Sequence, residues 1–120
     1  MMNKATLRVI LRKDRKRIYI SRSVIAMLDN PSHLGFRYVR EKNLLAISAT
    51  NKDDRDGFEI PKCFWKSSRS CEIARIAFFI ALKYRLNWED EAKYSYAGTL
   101  IELKGFPAVV FNMTNGTKVK

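Results

Sequence analysis

The chain has 120 residues, of which 47% are hydrophobic and 12% aromatic, and its formal net charge is +11. With only five glycines and three prolines, this composition predicts one globular domain and excludes a long disordered linker. The longest fully apolar run, residues 76–82, is far shorter than the roughly 20 residues that cross a bilayer, so no membrane partner is expected.

Positive charge is concentrated near the start of the chain. Residues 1–22 hold eight basic residues and one acidic residue, and so supply +7 of the net charge of +11. The basic residues predicted to bind nucleic acid are Arg8, Arg12, Lys13, Arg15, Lys16, Arg17 and Arg22. Such a local excess is typical of a surface that binds a polyanion, because each contact with a phosphate releases a counterion. The alternative is a solvated edge hairpin that charge protects from aggregation.

The elements follow from short apolar patterns. Residues 6–12 and 17–20 are rich in β-branched side chains, and the charged residues between them predict a tight turn and therefore a basic hairpin. A short helix is expected at about 22–28. Further hairpins are predicted from the arms 36–40 with 44–50, and from the arms 94–103 with 108–113.

A long helix is predicted at about 69–87, because apolar residues cover most of its circumference. The expected fold is therefore α+β, with three antiparallel β-hairpins packed on this long apolar helix and on the short helix at about 22–28. Residues 1–113 would form a single domain, and residues 114–120 a polar C-terminal tail.

Residues 17–28, RIYISRSVIAML, resemble the core motif of the AbrB/SpoVT/MraZ group of swapped-hairpin transcription factors. In that motif, G-R-I-x-I-P-x-x-I-R-x-x-L, a strand leads into a short helix. Arg17, Ile18, Ile20, Ile25 and Leu28 fall close to that order. Lys16 replaces the glycine, Ser21 replaces the proline, and Ile25 is followed by Ala26 where an arginine is usual. The resemblance implies a homodimer whose N-terminal hairpins contact DNA, and it carries that role to Arg17, with Arg15 and Arg22 as neighbours in the basic cluster.

A second pattern, residues 35–40 (GFRYVR), partly matches the signature of RNA-recognition domains. Phe36 and Tyr38 could stack on bases while Arg37 and Arg40 contact phosphates. The alternative is that both aromatic residues lie on the core face of a hairpin, which is the commoner arrangement.

Residues for catalysis or metal binding are sparse. Cys71 is expected near a helix N-terminus, where its thiol could be activated, but a buried structural cysteine is the favoured interpretation. Two cysteines and one histidine are too few for a zinc site, and the aspartates of residues 51–57 lack the spacing of a calcium loop. No enzyme activity, cofactor or metal is therefore expected, and the cysteine usage suggests a reducing cytoplasmic setting.

These patterns predict a non-enzymatic nucleic-acid-binding protein, a small DNA-binding regulator that uses the basic N-terminal hairpin. DNA is expected rather than RNA, and a homodimer is possible. The alternative is a protein–protein interaction module that docks an acidic partner, with an exposed apolar patch near Phe79. A third class, a small enzyme that uses Cys71, would require a reactive thiol.

Overall fold

A computed structural model describes residues 5–12, 15–67, 69–73, 76–114 and 116–119. Within these ranges, the strands are β1 (Ala5–Arg12), β2 (Arg15–Ser21), β3 (His33–Val39), β4 (Leu44–Thr50), β5 (Phe58–Glu59), β6 (Ser70–Ile73), β7 (Lys93–Leu103), β8 (Phe106–Asn112) and β9 (Thr117–Val119). The helices are α1 (Arg22–Met27), α2 (Phe64–Ser67) and α3 (Ile76–Leu86).

All the strands join one antiparallel sheet, which is nearly closed into a barrel. Its order is β5-β3-β4-β8-β7-β1-β2-β6, and β9 pairs with the start of β7. Residues 60–69 connect the two outer strands, β5 and β6, and carry α2. Phe64 of this connection is buried, and its carbonyl oxygen accepts a hydrogen bond of 3.2 Å from Arg22 Nη1. This hydrogen bond joins the connection to the start of α1, which follows β2.

The alternating pattern of β1 decides which side chains enter the barrel. Leu7, Val9 and Leu11 are buried, whereas Arg8 and Arg12 are exposed. Because successive side chains of a strand point to opposite faces, the apolar residues fill the core and the arginines lie outside. The short helix α1 packs against β1 and β2 and adds the buried Val24 and Ile25 to the same core.

The helix α3 lies at the end of the barrel where β3 ends. Arg85 Nη2 donates a hydrogen bond of 3.3 Å to the carbonyl oxygen of Arg40, one residue beyond β3. Leu82 of α3 is buried. After α3, Trp88 Nε1 donates a hydrogen bond of 2.7 Å to the hydroxyl of Tyr96 in β7, which anchors the return into the sheet.

The predicted long helix at 69–87 is wrong, and with it the predicted packing of three hairpins on a long helix. Ser70–Ile73 form an edge strand in which Cys71 pairs with Ile20 and Ile73 pairs with Ile18 of β2. The helix begins only at Ile76 and has 11 residues. The physical reason is that the backbone groups of residues 70–73 find hydrogen-bond partners along β2, and that the alternating burial of these residues suits a strand.

Several predicted elements are present within this different architecture. The short helix occupies Arg22–Met27, and the pairs β1–β2, β3–β4 and β7–β8 are the three expected hairpins. They are joined edge to edge rather than packed on a helix. Part of the segment expected to be a polar tail forms β9, where Thr117 pairs with Ser95.

A close approach between β7 and β8 shapes the core. Gly98 pairs with Phe111, and a Cβ atom at Gly98 would lie 2.6 Å from the Phe111 ring. Phe111 is 0% exposed. The glycine thus leaves space for Phe111, the largest fully buried side chain among the described residues.

Candidate nucleic-acid interface

The register of β1, β2 and β7 brings four basic residues to one outer face of the barrel. Arg17 of β2 and Lys93 of β7 both pair with Ile10 of β1, so they lie on the same side of the sheet as Arg8 and Arg12. We call Arg8, Arg12, Arg17 and Lys93 the basic face. Residues two apart in a strand are about 6.6 Å apart, and neighbouring strands about 4.8 Å. The four charges are therefore close enough to act on one segment of a polyanion.

Lys93 was not among the predicted site residues. It lies more than 70 positions from the basic N-terminal segment, and only the pairing of β7 with β1 brings it beside Ile10. No local signal in the sequence distinguishes it from other lysines. Recognising it requires knowledge that the third hairpin pairs with the first.

One carboxylate on this face opposes the basic residues. Among the described outward residues of β1, β2, β6 and the β1-paired part of β7, Glu72 is the acidic one. Its Oε2 lies 2.8 Å from Arg17 Nη1. The two side chains are 37% and 44% exposed, so the ion pair contributes less than about 1 kcal/mol to folding. Phosphate can therefore compete for Arg17, whereas Arg8 and Arg12 form no ion pair with another described residue.

The other predicted site residues fall into two groups. The guanidinium carbon of Arg22 lies 4.8 Å from the centroid of the Phe64 ring, so this side chain stabilises the join between α1 and α2. It does not belong to the basic face. Arg15 and Lys16 are in β2, and Arg15 pairs with Arg12, but their side chains lie outside the described part of the structure. Lys13 lies outside the described residues altogether.

Residues 35–40 adopt the favoured arrangement, in which the aromatic side chains lie on the core face of a hairpin rather than on a stacking platform. Phe36 pairs with Ile47, and its ring contacts the ring of Phe58 edge-on at 6.4 Å. The Tyr38 hydroxyl donates a hydrogen bond to the side-chain oxygen of Asn43. Both aromatic side chains are partly buried and pack against the core cluster.

Cys71 is not an activated nucleophile. It lies in β6 rather than at a helix N-terminus, and it is 2% exposed. Burial, with smaller contributions from Cys63 and Glu72, raises the pKa of the Cys71 thiol to about 11. At pH 8 only about 0.1% of a thiol with that pKa is the reactive thiolate.

Thiol labelling checks this difference between the two cysteines. With iodoacetamide at pH 8, we expect Cys63, which is exposed, to be modified first, and Cys71 only after unfolding in denaturant. Peptide mass spectrometry distinguishes the two sites. Modification of Cys71 in the folded protein at a rate similar to that of Cys63 would contradict the structural assignment, and a Cys63→Ser variant provides the control.

A concavity of about 330 Å³ lies where α3 meets the end of β3. Its walls are Tyr38, Arg40, Ala81, Leu82 and Arg85. Arg12 ends β1 at the same end of the barrel, because β1 and β3 run in the same direction in the antiparallel order. This end of the barrel thus carries Arg12 of the basic face together with Arg40 and Arg85 of the concavity.

Local hydrogen bonds stabilise the acidic loop after β4, residues 51–57. The Asp54 carboxylate accepts bonds of 2.9 Å from the Thr50 hydroxyl and from the backbone N–H of Asp56. Asp53 is also exposed. Across the described residues, no group of three or more His, Cys, Asp or Glu side chains is arranged to hold a metal ion.

Comparison with known proteins gives no assignment. The chain matches no protein-family model, no curated protein and no solved structure. Among the residues that the structure describes, no helix combines the length and the apolar character needed to cross a bilayer. The argument for function therefore depends on the basic face itself.

Proposed function

We propose that this protein is a non-enzymatic nucleic-acid-binding protein whose basic face contacts the phosphate backbone. The observation that carries this proposal is the placement of Arg8, Arg12 and Arg17 on one outer face of two paired strands, with Lys93 beside them. This face carries four positively charged side chains and one carboxylate, that of Glu72. A localised excess of this kind favours a polyanion over a neutral or basic partner.

The sheet holds the basic residues in a preorganised arrangement. β1 is hydrogen-bonded to β2 on one side and to β7 on the other, so the backbone under Arg8 has partners at both edges. Arginine suits this role because its planar guanidinium donates two parallel hydrogen bonds to a phosphate. These contacts position the protein along a nucleic acid without reading its sequence.

The resemblance of residues 17–28 to swapped-hairpin transcription factors favours DNA over RNA and a regulatory role. In this chain both outer edges of the β1–β2 hairpin are paired internally, with β7 and with β6. One copy therefore presents the whole basic face. A homodimer, which stays a prediction, would double the number of phosphate contacts and raise the apparent affinity.

The test is fluorescence anisotropy of labelled duplex DNA, single-stranded DNA and RNA, titrated with the protein from low to physiological salt. We expect the logarithm of the association constant to fall linearly with the logarithm of the salt concentration. The slope should be about −0.7 to −0.9 per phosphate contacted. Absence of binding to all three ligands at low salt would contradict the proposal.

Replacing Glu72 by glutamine provides a gain-of-function prediction. Glu72→Gln removes the carboxylate that pairs with Arg17, so a phosphate no longer has to displace it. We expect tighter nucleic-acid binding at low salt, by up to about fivefold if the displaced pair is worth 1 kcal/mol, and a smaller gain as salt rises. The anisotropy titration measures this change.

The matched control is Glu59→Gln, which neutralises an exposed carboxylate on β5, an outer strand that does not pair with β1 or β2. It changes the net charge of the protein by the same amount. Equal gains in the two variants would show that net charge rather than the basic face determines affinity.

The second candidate is a protein–protein interaction module that docks an acidic partner. It is favoured by the exposed apolar side chains of the β7–β8 hairpin, where Phe106 is 72% exposed and Leu100 is 46% exposed. The patch predicted near Phe79 involves a side chain outside the described part of the structure. Failure of nucleic-acid binding at low salt would make this module the leading hypothesis.

A further inference from the structure

A tyrosine lies within the basic face. Tyr19 pairs with Arg8 on one side and with Glu72 on the other, and it stands two residues from Arg17 on the same strand. Its side chain is partly exposed. No hydrogen bond or ring contact joins it to another described residue.

Other aromatic side chains of the described residues pack against neighbouring rings, as Tyr19 does not. Trp88 stacks against Tyr94 with centroids 6.2 Å apart, and Phe64 contacts Trp65 edge-on at 5.2 Å. Those rings stabilise the fold by packing on each other. Tyr19 instead presents an unstacked ring among positive charges, which is the combination found where proteins bind unpaired bases.

We propose that the basic face binds single-stranded nucleic acid, with Tyr19 as the ring on which an unpaired base stacks. This inference rests on the proposed function and names its ligand. Arg8 and Arg17 lie about 5 Å across the sheet and about 6.6 Å along the strand from Tyr19, respectively. They are therefore placed to hold the backbone of the strand whose base contacts the ring.

The width of the surface argues against insertion into duplex DNA. The major groove is about 12 Å wide and admits an α-helix or a two-stranded ribbon. Here the β1–β2 hairpin is flanked by β7 and β6. Four adjacent strands measure about 14 Å between the outer strand axes, before side chains are added. The hairpin is therefore too wide to enter an undistorted major groove, and in a duplex the bases are already stacked on each other.

The experiment compares a labelled oligothymidylate with a duplex of the same length by fluorescence anisotropy. The proteins are the parent, Tyr19→Ala, Tyr19→Phe and the control Tyr84→Ala, which removes a tyrosine that is 86% exposed on α3. We expect Tyr19→Ala to weaken binding of the single strand by about 5- to 150-fold, the range for loss of one base–aromatic stack. Tyr19→Phe keeps the ring and is expected to rescue most of this loss.

The outcomes separate this inference from the proposed function. Equal effects of Tyr19→Ala and Tyr84→Ala, or parent binding of the duplex as tight as that of the single strand, would overturn the inference alone. No binding of either ligand, and none of RNA, at low salt would overturn the proposed function as well. Thermal unfolding verifies that Tyr19→Ala is folded. If it is not, Tyr19→Leu, which keeps apolar bulk without a ring, takes its place with the same expected loss.

Discussion

The variant in which Arg8, Arg12 and Arg17 are all replaced by glutamine is expected to bind nucleic acid about 100- to 500-fold more weakly at 0.1 M salt. This range assumes that each arginine contacts one phosphate, with the lower value for a single strand and the upper value for a duplex. Glutamine keeps much of the side-chain length, so the change removes charge with little change in packing.

The salt dependence provides the sharper readout. Loss of three phosphate contacts should flatten the plot of log affinity against log salt by about 2 to 3 units of slope. The matched control replaces Arg37, Arg40 and Arg55, three exposed arginines that lie outside the basic face, by glutamine. Both triple variants lower the net charge from +11 to +8. An equal loss of affinity in the two would show that binding depends on total charge, which would contradict a defined interface.

The largest expected effect on stability comes from Phe111→Ala. We expect it to lower the free energy of unfolding by about 3 to 5 kcal/mol, because removal of a fully buried ring loses its transfer free energy and leaves a cavity. Gly98 lies directly beneath the ring and has no side chain that could fill the space. For a domain of this size the loss corresponds to a fall in melting temperature of roughly 10 to 20 °C.

Phe106→Ala is the control for this prediction. Phe106 lies in the same strand as Phe111 but is 72% exposed, so its removal should change the free energy of unfolding by no more than about 0.5 kcal/mol. Chemical denaturation followed by tryptophan fluorescence measures both variants. Similar losses for the two substitutions would show that Phe111 is not buried as the structure has it.

The local parts of the interface were accessible from the sequence. The alternation in residues 5–12 places leucine and valine on one face and arginine on the other, and this pattern holds whichever strands pair with β1. The pairing of β1 with β2 and the strand-to-helix corner at Ser21 also follow from local patterns. The outward position of Arg8 and Arg12 is therefore a property of the sequence.

Other parts depended on long-range pairing. Arg22 carries the same charge as Arg17 and lies only five positions away, but it interacts with Phe64, a residue more than 40 positions along the chain. Lys93 joins the basic face only through the pairing of β7 with β1. Neither placement has a local signal, because both arise from contacts between segments that are distant in sequence.

The net charge, its concentration near the N-terminus, and the alternation of core-facing and outward residues in β1 all follow from local sequence. How the strands pair into a nearly closed sheet depends on contacts between distant segments. Residues 70–73 satisfy both a helical and an alternating pattern, and they form a strand because their backbone groups pair with those at the edge of β2. The pairings of β1 with β7 and of β4 with β8 join the three hairpins into one nearly closed sheet. The pairing of β6 with β2 places Glu72 beside Arg17, and Tyr19 between Arg8 and Glu72, because cross-strand neighbours are set by register rather than by sequence distance.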